Sequence, residues 1–374
     1  MNKRKIRFPE SCATVDLAEF VSDNKITEYH AIIHIDSNGD CFEKQYNRIR
    51  EARESFLKSE GLCNENIVFQ RYFLSDAINQ SPFLTEEKDD ADISLIQQPP
   101  LDGSKIAIWL YLLKGPGLEI NKHKDYVTAS YGGHTHFWKM GMTHAQGSSY
   151  EQTKHVLERY ESFLADNDMN IAENCVRTWF FVRDVDTQYQ GMVEARKENF
   201  ISQGMTESTH YISSTGIYGL PAERNAIIQM GTYAVKGLYK GQQKYLYAMT
   251  HLNPTYEYGV TFERGTAVDY DDRRQIYISG TASIDNKGDV LFEGDIRKQT
   301  ERMIENVGKL LEEGQAGFDD IMQIIVYLRD VADCETVKQI FAARFADTPL
   351  IITYAPVCRP AWLIEMECMA VTRR

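Results

Sequence analysis

Gln299-Thr300-Glu301-Arg302-Met303-Ile304-Glu305-Asn306-Val307-Gly308-Lys309-Leu310-Leu311, followed by Ile321-Met322-Gln323-Ile324-Ile325-Val326-Tyr327-Leu328 and closing on Asp330, is the stretch that decides the fold. Thr300, Met303, Ile304, Val307, Leu310 and Leu311 fall at offsets 0, 3, 4, 7, 10 and 11, which is one face of an amphipathic helix. The run after it is β-branched and aromatic and reads as a strand. The pattern occurs twice more, from Gln45 to Asp76 and from Gln152 to Asp184, and the three separations are 31, 32 and 31 residues in chain order. Register kept to within one position marks a repeated supersecondary unit.

Outward from the deciding stretch, the second copy places Thr153, Val156, Leu157, Tyr160, Phe163 and Leu164 at the same offsets. The first is weaker: Tyr46, Ile49, Phe56 and Leu57 fit, while Arg50 and Arg53 interrupt the stripe. Ile67–Leu74 and Val176–Val182 are the matching strands. A turn, Ile35-Asp36-Ser37-Asn38-Gly39-Asp40, mirrors Ile284-Asp285-Asn286-Lys287-Gly288-Asp289, with glycine where a hairpin needs positive φ. Each unit ends in a further strand: Ile106–Leu113, Ala226–Val235 and Trp362–Val371. The expected fold class is α+β, helices covering one face of a sheet. Residues 1–27 form an N-terminal lead, and modules follow over 28–118, 125–240 and 255–374. Three such units suggest a pseudo-threefold assembly with ligand sites in the clefts between them. The pattern leaves association beyond that open.

With 374 residues, two or three modules is the expected number. No apolar run approaches a membrane span, and the basic start Met1-Asn2-Lys3-Arg4-Lys5 lacks the apolar stretch of a signal peptide. Seven scattered cysteines without a CxxC argue for reduced thiols in the cytoplasm. The net charge of −13 speaks against nucleic acid as a partner, but a small anion needs only arginines gathered in a cleft. Thr85–Pro100, with Glu86, Glu87, Asp89, Asp90 and Asp92, reads as a solvated acidic loop. The common nucleotide, zinc-protease and hydrolase signatures are absent. His134, His136 and His144 lack an acid or cysteine at ligand spacing, so no metal is expected.

Aligning Tyr233-Ala234-Val235 with Met369-Ala370-Val371 sets Glu365 opposite Gln229 and Glu367 opposite Gly231, and module one has no acid in this strand. A carboxylate among Ile, Met and Cys is expensive to bury unless something needs it. Leu363, Glu365, Glu367 and Met369 share one strand face. Glu365 is therefore the candidate general acid or base, because burial and a neighbouring carboxylate both raise its pKa. Arg359 is the candidate carboxylate fork. Cys358 beside it reads either as a lowered-pKa thiol or as inert packing. Gly280, inside Ser279-Gly280-Thr281-Ala282-Ser283, marks either close approach by a ligand or a simple bulge, and Thr281 offers a hydroxyl. Module two contributes Arg177, Trp179, Arg183, Tyr189 and Arg196. Arg177 and Trp179 share a strand face, as an anion grip or as a structural cation–π pair.

Tyr277-Ile278-Ser279-Gly280, Gly294-Asp295, Gln299-Thr300, Tyr327-Leu328-Arg329-Asp330, Cys358-Arg359 and Ile364-Glu365-Met366-Glu367 resemble the Rid family (YjgF, reactive-intermediate deaminases). That resemblance implies chorismate-mutase-like α+β modules whose ligand sites lie between subunits, here between modules of an internal trimer, with Glu365 orienting a water. Ser279-Gly280-Thr281-Ala282-Ser283-Ile284, Cys358-Arg359-Pro360 with Glu365, Phe262-Glu263-Arg264, and Arg177-Thr178-Trp179 with Tyr189 and Arg196 are similar to the chorismatase branch of the superfamily. Phe180 and Phe181 stand where that branch carries polar and tyrosyl residues. The branch implies an enzyme releasing pyruvate from chorismate, with Glu365 as acid, Arg359, Arg177, Arg196 and Arg264 toward carboxylates, Cys358, Gly280 and Thr281 lining the site, and no metal or cofactor. The alternatives are an imine or enamine deaminase, and a small-molecule binder without turnover.

Overall fold

The computed structural model describes residues 1–36, 39–84 and 93–374. Ser37 and Asn38 of the first expected turn, and Glu86, Glu87, Asp89, Asp90 and Asp92 of the acidic stretch, lie outside the described residues.

Three sheets carry one topology. Module one orders β1 (Asn2–Phe8), β2 (Ala13–Val21), β3 (Thr27–Ile35), β6 (Ile106–Lys114), β4 (Ile67–Leu74) and β5 (Ile93–Gln97) side by side. Module two repeats this as β7 (Glu119–Lys122), β8 (Val127–Tyr131), β9 (His134–Thr143), β13 (Ile228–Lys236), β10 (Cys175–Val182) and β11 (Ser213–Tyr218). Module three has β14 (Gln243–Leu246), β15 (Gly265–Asp269), β16 (Arg273–Thr281), β19 (Ile364–Arg373), β17 (Ile321–Leu328) and β18 (Leu350–Tyr354). In each sheet the pairing is antiparallel except for the last pair, β4 with β5, β10 with β11 and β17 with β18. The residues expected as a lead thus supply two strands of the first sheet. β7 and β14 likewise precede the expected starts of modules two and three, and β5 takes the end of the expected acidic loop.

On one face of each sheet lies the 18-residue helix of the repeat: α1 (Phe42–Ser59), α3 (Ser149–Asp166) and α6 (Ile296–Glu313). The one-turn helices α2 (Ala77–Gln80) and α4 (Ile171–Asn174) punctuate the chain, and α5 (Val185–Ser202) and α7 (Cys334–Arg344) are the second helices of modules two and three. Asp295 caps α6 through Lys298 N, and Ser148 and Glu151 form a capping box on α3. Arg53, which breaks the apolar stripe of α1, is accommodated because its guanidinium donates to Gln70 and Tyr72 on the sheet beneath.

The repeated glutamine has a definite task. It is buried in the first turn of each long helix. Its carbonyl accepts from Lys105 N, Ile227 N or Leu363 N, at 2.7, 2.7 and 3.0 Å. Its amide donates to a loop carbonyl at Asp40, Gly147 or Phe292. One side chain thereby ties the helix start to the mouth of the closing strand, satisfying backbone groups that burial would strand. These stitches fix the equivalence of the modules: Ala107, Gln229 and Glu365 correspond, as do Trp109, Gly231 and Glu367.

The modules close into a ring. The two-residue strand β12 (Leu220–Pro221) of module two pairs with β5 of module one, Glu263 N of module three bonds Ile212 O of module two, and Leu101 N of module one bonds Ile352 O of module three. A single apolar core drawn from all three, with Trp109, Trp138, Trp179, Tyr233, Tyr277 and Tyr327 among its members, fills the centre. Among the described residues no helix is long and apolar enough to cross a membrane.

Candidate functional site

At the boundary of modules two and three, β16 bulges. Its register with β19 shifts between Ile278 and Thr281, so the ladder opens around Gly280. Into the gap comes Glu365 from β19: a Cβ on Gly280 would stand 2.0 Å from Glu365 Oε1. The close approach for which glycine is required is therefore made by the candidate acid itself. Thr281 turns away, donating to Ser279 O, and is wholly buried.

β11 of module two lies against this bulge. Ser214 N donates to Ser279 Oγ at 2.9 Å, and Gly280 N donates to Thr215 Oγ1 at 2.9 Å. Between them a cavity of about 310 Å³ opens, lined by Glu365, Gly280, Arg196, Arg264, Arg359 and Cys358, with Tyr189, Val260, Phe262 and Trp362 as further walls. Arg264 is held by Asn253, whose backbone carbonyl it reaches at 3.0 Å and whose side-chain oxygen at 3.1 Å. Arg196 donates to Ser214 Oγ at 3.3 Å, and Phe262 lies between the guanidiniums of Arg196 and Arg264, 6.0 and 5.7 Å from its centroid. Arg359 stacks on Trp362 at 5.1 Å. Three guanidiniums from α5, the approach to β15 and the loop before β19 thus line one cavity with the Glu365 carboxyl.

Burial drives the Glu365 pKa from its ordinary value up to about 8; the Glu367 carboxylate adds to the rise, and Arg177 and Arg264 oppose it. The rise favours the neutral, protonated form of the Glu365 carboxyl near neutral pH. Cys358 is not an activated thiol. Burial, and then the Glu365 charge, push it to about 12, so its neutral S–H packs against Tyr189, whose phenol burial also pushes up.

Arg177 departs from its expected place. It does not line the cavity; it lies fully buried behind it, with Nη2 2.7 Å from Glu367 Oε2 and 2.5 Å from Thr215 Oγ1, and Nη1 3.3 Å from Ser279 Oγ. Trp179 Nε1 donates to the other oxygen of Glu367 at 3.0 Å. A strand position on an apolar face demands a partner for a charge, and here another strand supplies it rather than a ligand. Trp362, Val260 and Arg71 were not singled out by the sequence. Arg71 had a visible mark, a lone cation in the apolar strand Ile67–Leu74. The histidines are dispersed in role: His136 accepts or donates at Tyr233 OH within the aromatic core, while His144 stacks on His155. No group of three or more potential metal ligands is found among the described residues.

The two corresponding positions carry no acid. At the boundary of modules one and two, Gln229 stands in its place and donates to Ser94 Oγ at 3.0 Å. In the third the residue is Ala107, whose side chain has no polar atom.

The class is thus a three-module α+β protein with a ligand-sized cleft at a module boundary. The family model described as Endoribonuclease L-PSP matches residues 266–372, which span most of module three. A RutC family protein of Pyrococcus abyssi is 33% identical over 97 residues, covering 25% of this chain and 76% of that protein. The chain belongs to the RutC family, within the Rid/YjgF superfamily. The human 2-iminobutanoate/2-iminopropanoate deaminase is 28% identical over 100 residues, covering 26% of this chain and 73% of that protein. The crystal structure of a chorismatase superposes with a TM-score of 0.63 at 16% identity, covering 82% of this chain and 93% of that one. At that identity the likeness is one of fold, and it extends over all three modules.

Proposed function

We propose that this chain is a chorismatase-like enzyme that releases pyruvate from chorismate or a related enolpyruvyl carboxylate. One observation carries the reading: a buried Glu365, its carboxyl pushed up to about 8, lines a cavity that it shares with Arg196, Arg264 and Arg359. A monoanion needs one such fork; several cations around one acid suit a substrate with two carboxylates.

The chemistry balances with Glu365 alone. Its proton passes to the methylene carbon of the enol ether, leaving an oxocarbenium-like centre that the new Glu365 carboxylate stabilises. Water adds to that centre and returns a proton to Glu365. The hemiketal then breaks its bond to the ring oxygen, its hydroxyl proton passing to that oxygen by way of the Glu365 carboxyl, giving pyruvate and a ring alcohol. Apolar walls from Val260, Phe262 and Trp362 limit solvent around the acid, which strengthens each charge interaction within.

The test is pyruvate release from chorismate, followed through lactate dehydrogenase, with Glu365→Gln alongside. The expected result is turnover by the wild type and a loss of about 10²–10⁴-fold in the variant, with ligand affinity retained. Because the reacting form of Glu365 is the acid, kcat should fall as pH rises through about 8. A second reading, imine deamination, is favoured by the likeness to the human deaminase. No pyruvate, but ammonia from amino-acid-derived imines, would replace the first reading by the second.

A further inference from the structure

Glu367 lies two residues beyond the candidate acid on the same strand face, outside the cavity, and is 1% exposed. Its carboxylate meets groups from two other modules. From module two come Arg177 Nη2 at 2.7 Å and Trp179 Nε1 at 3.0 Å. From module one comes Arg71, whose Nη1 is 3.6 Å from Glu367 Oε1. Arg71 is fully buried, enclosed by the rings of Phe69, Trp109, Trp179 and Phe181 at 4.8 to 5.3 Å, with Glu367 as its ion-pair partner. A wholly buried cation is costly unless it serves as a counter-charge. Glu367 is the carboxylate it serves.

We propose that Glu367 is a positioning residue for this site, a carboxylate fixed by Arg177, Trp179 and Arg71 whose fixed charge keeps the neighbouring Glu365 in its acid form. The inference rests on the reading of Glu365 as the reacting acid, and it brings module one, which lines none of the cavity, into the chemistry. Around Glu365, Glu367 shares its strand, Tyr327 faces it from β17, Arg177 from β10, Arg264 from the approach to β15, Cys358 from the loop before β19 and Tyr189 from α5, while Arg196 of α5 and Arg359 of the loop before β19 line the same cavity. Tyr327, Cys358 and Tyr189 are held neutral by burial. Arg177 and Arg264 favour the ionised form, and Arg177 is neutralised at contact by Glu367. Apart from burial, Glu367 is the one influence that opposes ionisation.

The test needs no substrate. Protein labelled with carbon-13 at the glutamate carboxyls is titrated by NMR, and the Glu365 signal is assigned as the one lost in Glu365→Gln. The expected result is a Glu365 carboxyl still neutral at pH 7 in the wild type. In Glu367→Gln its midpoint should fall by at least one pH unit, a tenfold change in proton affinity, while Glu367→Asp, which keeps the charge, should hold it near the wild-type value. A folded Glu367→Gln with an unmoved midpoint, or a wild-type Glu365 already ionised at pH 7, overturns the proposal. If Glu367→Gln does not fold, the wild type still decides: the indole N–H of Trp179, bonded to Glu367, should shift with the Glu365 midpoint, and a flat response overturns it. Should chorismate yield no pyruvate, the function proposed above fails while this titration stands by itself. Where pyruvate is released, the alkaline limb of kcat should move down in Glu367→Gln with KM little changed.

Discussion

For Glu365, the raised pKa that the proposed acid role requires is also a cost to the fold. Its folded pKa, about 8, is raised above the ordinary carboxyl value, so between the two values the folded protein holds a proton that the unfolded chain releases. Stability must therefore fall as pH rises through that window, by roughly 1.4 kcal/mol for each pH unit crossed, and level off above it. Glu365→Gln removes this dependence. Urea unfolding at pH 5 and at pH 8.5 should show the variant gaining a few kcal/mol on the wild type at the higher pH. Gly280 makes a second prediction at this scale. Because a Cβ would fall 2.0 Å from Glu365 Oε1, Gly280→Ala displaces the carboxyl while leaving the bulge intact. Turnover should drop by about tenfold to a hundredfold with circular dichroism unchanged. Single residues were partly legible in the sequence. A carboxylate in an apolar strand advertised Glu365, and the same logic applied to Arg71 would have found it. Arg177 was misplaced because a buried charge signals that a partner exists without saying whether the partner is a ligand or another strand.

At the scale of elements, Ile67–Leu74 and Ile321–Leu328 are strands at the boundaries their composition marks. The long helices were legible from periodicity, although each begins three residues before its glutamine. What the pattern could not convey was the glutamine's purpose, since the backbone N–H groups that its carbonyl accepts from lie some sixty residues or more further along the chain. Gln299→Ala leaves Leu363 N and Ala361 O without their partner. It should cost about 2–3 kcal/mol in chemical denaturation and loosen the strand that carries Glu365, so the loss in turnover should exceed that expected from stability alone. The strands at the sheet edges were less legible. β1, β7 and β14 are short or polar on one side, and in their exposed positions no strong alternation announces them.

For the whole molecule, three repeats predicted three modules, and the ring they form follows from pairing at each boundary. The repeat alone does not predict that its clefts are unequal. Ala107, Gln229 and Glu365 occupy one position in three modules, and the last of them lines the cavity. Titration calorimetry with a bound dicarboxylate analogue should therefore give one site per chain, not three. The central core is shared, so thermal unfolding should proceed as a single transition in which no module melts ahead of the others.

The meeting point of the modules holds Arg71, whose counterparts by strand position are Trp179 and Ile325. Were three identical chains to form this assembly, any cation placed there would face two copies of itself across the axis, and mutual repulsion would forbid it. Joining the units into one polypeptide lifts that veto. A single copy of that cation can occupy the centre, enclosed by the rings of Phe69, Trp109, Trp179 and Phe181, and lean toward Glu367 only. A single chain is thereby free of a symmetry rule that homotrimers must obey, and its three corners can differ as Ala107, Gln229 and Glu365 do.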